Sequence, residues 1–169
     1  MASNYLEQLI AECYEYQNYV VRRNVRVGKR KTGGYECELD IVAFHAGKPH
    51  LIHLEPSMDA DSWATREKRF SRKFAAGRRY IPELFPGFRL PKKLEQVAVF
   101  AVASKKNRQT LAGGKILLVR ELMEEILTHL KDKSVLSEAV SEQFPLLRTL
   151  QFVGEYRDVA RRVWEGGGQ

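Results

Sequence analysis

The stretch YECELDIVAFHAGKPHLIHLEPS, Tyr35–Ser57, decides how this chain is read. Two runs rich in apolar and β-branched residues, 35–44 and 50–55, are split by Ala46-Gly47-Lys48-Pro49, whose Gly and Pro are turn chemistry. That pattern predicts a β-hairpin. A two-residue turn at Gly47-Lys48 sets Ala46 opposite Pro49, Phe44 opposite Leu51, Val42 opposite His53 and Asp40 opposite Glu55. If pairing extends further, Ser57 faces Glu38. Alternation then puts Glu38, Asp40, His53, Glu55 and Ser57 on one face, with Leu39, Ile41, Ala43, Ile52 and Leu54 on the other. Directly opposed carboxylates destabilise a sheet. A divalent cation is the simplest reason to place two together, since Mg²⁺ prefers one or two carboxylates plus waters and phosphates. The competing reading is that a nearby Arg or Lys pairs with one of them, or that the turn is longer and the register differs.

Outward from the hairpin, Asn4 is an N-cap with Glu7 three residues on, opening a helix over 4–17 in which Leu6, Leu9, Ile10, Cys13 and Tyr16 recur at helical spacing. Tyr19-Val20-Val21, Val25 and Val27 predict a first strand, and 28–34 a basic turn. On the other side, 59–80 reads as a long helix with the apolar stripe Trp63, Phe70, Phe74 and Ile81. A Pro-rich loop, 81–91, leads to the continuous apolar run 97–103, the pattern of a strand buried on both faces. A short strand at 116–119 and helices at 120–131, 135–143 and 145–164 complete the chain, with Pro145 at a natural first helical position. The expected fold is α/β, a mixed sheet flanked by helices. The core spans 1–131, a helical extension 132–165, and 166–169 is expected to be disordered.

The 169 residues carry a net charge of +7. Arg22, Arg23, Arg26, Lys29, Arg30 and Lys31 form one basic cluster, and 66–93, including Arg66, Arg69 and Arg72, forms another. Clustering of this kind is the footprint of a polyanion partner, or else a solvated face. No apolar run approaches the length needed to cross a bilayer, and the start, MASNYLEQLI, lacks a signal-type pattern, so a cytoplasmic protein with no membrane partner is expected. Cys13 and Cys37 are too few for a disulfide framework or a zinc site and read as small buried hydrophobes. No phosphate-binding Gly-rich loop and no serine-triad motif is present.

These residues resemble the PD-(D/E)XK, restriction-endonuclease-like superfamily, most of all its Mrr-like branch. Leu6-Glu7 precedes Asn18-Tyr19 with the spacing of the Mrr-like first helix before its Gly-Tyr. Glu38-Leu39-Asp40-Ile41-Val42-Ala43 is similar to the family's Asp-bearing strand, Leu51-Ile52-His53-Leu54-Glu55-Pro56-Ser57 to its Glu-x-Lys strand, and Phe70…Phe74…Gly77 to the helix that follows. The likeness covers residues 5 to 80. It implies a restriction-endonuclease-like fold and a Mg²⁺- (or Mn²⁺-) dependent endonuclease acting on DNA. Asp40 and Glu55 would hold the metal and Glu7 would assist. The basic clusters would track the phosphate backbone. A homodimer is left open.

One position departs from the family pattern: Ser57 stands where the motif has lysine. Some members move that lysine to the next helix. On a helical wheel of 59–80, Lys73 and Arg66 lie on one flank of the apolar stripe, while Lys68, Arg69, Arg72 and Arg79 point away from it. Lys73 is therefore the candidate for a relocated catalytic lysine, with Arg66 as the alternative; the competing reading of Lys73 is a backbone-phosphate contact or a solvated side chain. One rival reading of the whole chain is a catalytically inactive nuclease fold that binds nucleic acid; another is a subunit or interaction protein that assembles through the helices from Arg120 to Trp164. His53, on the acidic face, reads as a metal ligand, a proton carrier, or a half-buried histidine satisfied by a carboxylate. His45 and His50 are expected to be exposed.

Overall fold

The structure, a computed structural model, describes residues 4–166. It divides into two compact units, up to Arg120 and from Glu121 onward. The first is mixed α/β. Helix α1 (Tyr5–Tyr16) opens on Asn4, whose side chain accepts from the Leu6 N–H. Strands β1 (Tyr19–Lys29), β2 (Tyr35–His45) and β3 (His50–Ser57) follow, then α2 (Trp63–Tyr80), β4 (Leu94–Phe100), β5 (Thr110–Leu111) and β6 (Gly114–Leu118). They form one six-stranded sheet in the order β1-β2-β3-β4-β6-β5. Its first three strands are antiparallel neighbours, while β3-β4 and β4-β6 are parallel.

The hairpin register is the expected one: Val42 pairs with His53, Ala43 with Ile52 and Phe44 with Leu51. The turn is longer than two residues. The last pair is His45 and His50, because Pro49 has no N–H to return to Ala46. At the other end the β2–β3 ladder stops at Ile41 and Leu54. The rest of β3 bonds to β4 instead, with Glu55 beside Ala98 and Ser57 beside Phe100, so Ser57 does not face Glu38. The two strands part at Asp40 and Glu55.

Strict alternation also fails at this point. Leu39 packs in the same cluster as Val42, Phe44 and Leu51, although Leu39 was expected on the opposite face. The neighbouring strand changes face with it. Arg22, paired with Val42, donates to the Leu84 carbonyl, while Val25, paired with Leu39, packs against the same cluster. Between them lies Asn24, opposite Asp40, in a left-handed conformation with φ 52°.

Helix α2 begins at Trp63, four residues later than expected, with Ser62 as N-cap accepting from the Thr65 N–H. It spans two patches of core. Phe70 and Phe74 pack with Ala98, Phe100, Leu111, Ile116 and Leu118, and Ala76 packs with Val42, Phe44 and Leu51. Ile81 belongs to a following 3₁₀ turn, Ile81–Glu83. Strand β4 starts and ends three residues before the expected span, and β5, two residues long, was not foreseen.

The second unit takes in α3 (Val119–Leu130) from Glu121 onward, and contains α4 (Pro145–Glu155) and α5 (Arg157–Glu165), two helices broken at Tyr156 where one was expected. The expected helix at 135–143 is irregular. Buried Gln151 explains how that segment is held: its Oε1 accepts from Val140 N–H at 2.8 Å, and its Nε2 donates to the carbonyls of Lys133 (3.1 Å) and Glu138 (3.0 Å). A side chain thus satisfies backbone groups that a helix would have paired internally. The tail beyond Gly166 lies outside the described residues. No helix among the described residues is long and apolar enough to cross a membrane.

Candidate functional site

Where β2 and β3 part, side chains take over from backbone. The Asp40 N–H donates to Glu55 Oε1 at 3.3 Å, a contact the ladder does not make beyond Ile41. From α2, Lys73 Nζ donates to Asp40 Oδ1 at 2.6 Å and to Glu55 Oε2. Three charged groups from three elements converge here, and they are nearly dry: the Glu55 side chain is 1% exposed, Asp40 14% and Lys73 18%. Lys73 is the α2 residue placed at the acidic pair. Glu7 of α1 is half-buried near Asp40, and burial together with that neighbouring charge raises its carboxyl above the ordinary range.

The electrostatics of the pair are unequal. Burial first, then the Glu55 carboxylate beside it, pushes Asp40 up to about 7, and Lys73 only partly offsets this. Burial alone would lower Lys73, but Glu55 and Asp40 outweigh it and its ammonium is held above the usual range. The site is an acidic pair whose repulsion is relieved by a shared ammonium.

His53 is fully buried, not half-buried, and its Nε2 lies 2.7 Å from Glu55 Oε1. Its other nitrogen faces Gln96 Nε2 at 3.1 Å, so both ring nitrogens are engaged by protein groups. Burial, with Lys73 adding to it, lowers its pKa to about 3, and the ring is neutral at physiological pH. The sequence reading of a histidine satisfied by a carboxylate holds; the metal-ligand reading does not. His50, expected to be exposed, is half-buried between the Tyr19 hydroxyl (2.6 Å) and Glu95 (3.0 Å).

Ser57 is buried, and its hydroxyl is spoken for. It accepts from Arg69 at 2.8 Å and from the Asp59 N–H at 3.3 Å, and donates to Asp59 Oδ2 at 3.3 Å. Arg69 therefore does not point away. Its guanidinium reaches back to Ser57, bonding Asp59 and Asp61 on the way. Arg66 is no alternative to Lys73. It is 3% exposed, donates to the carbonyls of Asp59 and Val102, and lies over the rings of Trp63 and Phe100. Buried in this way, Arg66 cannot track a phosphate backbone, and Arg69 is neutralised by two carboxylates. Arg72, Arg22, Arg23, Arg26, Lys29, Arg30 and Lys31 are exposed, with Arg26 paired to Glu38.

Asp40 and Glu55 offer hard oxygen donors of the kind Mg²⁺ or Mn²⁺ takes. Among the described residues no group of three or more His, Cys, Asp or Glu side chains is arranged to hold a metal. The space between the two carboxylates holds the Lys73 ammonium. The sequence matches no protein-family model and none of the curated proteins with which it was compared.

Proposed function

We propose that this chain is a metal-dependent nuclease of the PD-(D/E)XK kind that hydrolyses phosphodiester bonds in DNA. The observation that carries the reading is the position of Lys73, whose ammonium contacts both Asp40 and Glu55 from the helix after the hairpin. An acidic pair at the parting of two strands, with a lysine against it, is the charge set such chemistry needs, and here the lysine comes from α2 because Ser57 occupies the motif position.

Asp40 and Glu55 would hold Mg²⁺ or Mn²⁺, which supplies an acidified water and Lewis-acid stabilisation of the charged transition state. The remaining work falls to the chain itself. Lys73 is hydrogen-bonded to Glu55 and Asp40 and, with the carboxylates neutralised by a metal, would be available to a phosphate oxygen. The exposed Arg22, Arg23, Arg26, Lys29, Arg30 and Lys31, with Arg72, would hold the polyanion without reading bases.

Plasmid DNA incubated with the purified chain and Mg²⁺ or Mn²⁺ tests the reading. Cleavage is expected for wild type and not for Asp40→Ala or Lys73→Ala. Wild-type activity no greater than that of Asp40→Ala would refute it. One observation favours the second reading, a nucleic-acid-binding fold without chemistry: Ser57 is sealed into its contacts with Arg69 and Asp59, and the cation that reaches the motif position among the described residues, Arg69, is paired with Asp59 and Asp61. Salt-sensitive DNA binding without cleavage under either metal would support that alternative.

A further inference from the structure

Behind the acidic pair a chain of hydrogen bonds runs inward from exposed Arg78, and its two ends fix its direction. Arg78 can only donate, and its guanidinium lies 2.6 Å from Gln96 Oε1. The Phe74 carbonyl can only accept, and it lies 2.9 Å from Gln96 Nε2. Together they fix which end of the Gln96 amide is which. Its Nε2 is then a donor toward His53 Nδ1, 3.1 Å away, so Nδ1 is the accepting nitrogen of a neutral ring. The proton sits on Nε2, which donates to Glu55 Oε1 at 2.7 Å. Oε1 also accepts from the Asp40 N–H. One oxygen of Glu55 is thereby committed inward, and Oε2 alone is left to meet a cation.

The packing is built around this chain. Gly77 of α2 faces it, and a Cβ at that position would overlap His53 Nδ1 and lie 2.7 Å from His53 Cε1 and 3.0 Å from Gln96 Nε2. His53, Gln96 and Glu55 are all buried, so an unpaired group on any of these three has no water to turn to.

We propose that His53 is a positioning residue for Glu55, locked by Gln96 into the tautomer that donates to Oε1, so that Glu55 presents Oε2 to the cation in a fixed orientation. The inference rests on the proposed function for the identity of that cation, but the tautomer lock stands on geometry alone. Groups that orient a metal-binding carboxylate are typically worth about 10- to 100-fold in metal affinity.

Two measurements on the full chain test it. Long-range ¹H–¹⁵N spectra, with His53 assigned by its loss in His53→Gln, should show the Nε2–H tautomer in wild type and a mixture in Gln96→Met. Calorimetric titration with Mn²⁺ should show His53→Leu weaker by about tenfold or more. His53→Gln, whose amide can still donate to Oε1, should stay within a few-fold of wild type. A wild-type Nδ1–H tautomer, or a folded His53→Leu with wild-type Mn²⁺ affinity, overturns the proposal. If His53→Leu does not fold, Gln96→Met decides, and unchanged Mn²⁺ affinity there counts against it. Wild type that binds Mn²⁺ no better than Glu55→Gln refutes the nuclease reading instead, and the spectra then decide the tautomer lock separately.

Discussion

Asp40→Asn is the substitution whose effect on stability can be worked through most fully. In the folded chain Asp40 loses its proton at about 7, against an ordinary value of 3.8. Between those two values the folded state holds a proton that the unfolded state has released. Unfolding free energy therefore falls as pH rises through this window, and the loss is complete above pH 7. At about 1.4 kcal/mol per unit over about three units, the full effect is on the order of 4 kcal/mol, with the offset from Lys73 already contained in it. Asparagine keeps the shape and carries no charge, and Lys73 retains Glu55. His53 must be separated from this. Its pKa of about 3 lies below the ordinary 6.5, so its contribution rises with pH up to about 6.5 and opposes that of Asp40. The observable is thus the difference between variant and wild type, not either curve alone. Urea denaturation at fixed ionic strength in EDTA, from pH 4.5 to 8.5, should show Asp40→Asn gaining on wild type with rising pH and levelling off above pH 7. Mg²⁺ should shrink the gap at pH 8 by binding the folded wild type. A difference that stays constant across the range would show that Asp40 titrates normally and that the pair is not pressed together in a dry site.

Lys73→Ala leaves Asp40 and Glu55 facing each other without a counter-charge, and should cost about 3–5 kcal/mol in EDTA; millimolar Mg²⁺ should raise its melting temperature more than that of wild type. Gly77→Ala should destabilise by about 1–3 kcal/mol, because its methyl overlaps the His53–Gln96 pair; urea midpoints measure this. Gln151→Leu removes the partner of the Val140 N–H and of several carbonyls, and should cost about 1–3 kcal/mol, with faster amide exchange across 133–140. DNA affinity should fall steeply with salt, and Arg23→Ala should reduce the slope of log K against log salt by about one without changing preference among DNA sequences.

Much of the site was legible in the chain itself because it is local. The hairpin register follows from period-two alternation and a Gly- and Pro-containing turn, so Asp40 and Glu55 could be placed together before any tertiary contact was known. Helical geometry narrowed the cation to Lys73 or Arg66: 3.6 residues per turn put both on one flank of the Phe70–Phe74 stripe, and only the fold showed that Lys73 meets the acidic pair while Arg66 turns to backbone carbonyls. The antiparallel-then-mixed strand pattern was legible for the same kind of reason. Other features needed the fold. Arg69 lies away from the stripe by angle, yet a long side chain with acidic partners at Asp59 and Asp61 reaches back to Ser57, and a helical wheel carries no information about reach. The irregular 135–143 segment is held by a side chain from Gln151, a contact that periodicity cannot register.

The sequence alone brought Asp40, Glu55 and the Lys73 flank of α2 into candidacy, because hairpin register and helix pitch are properties of the chain. Only the tertiary structure decided how those charges are held. The face change opposite Asn24, the dryness that raises Asp40, and the Arg78–Gln96–His53 chain that orients Glu55 all depend on β4 and α2 lying against the hairpin. Burial, unlike register, is set by what packs on a residue from elsewhere in the chain.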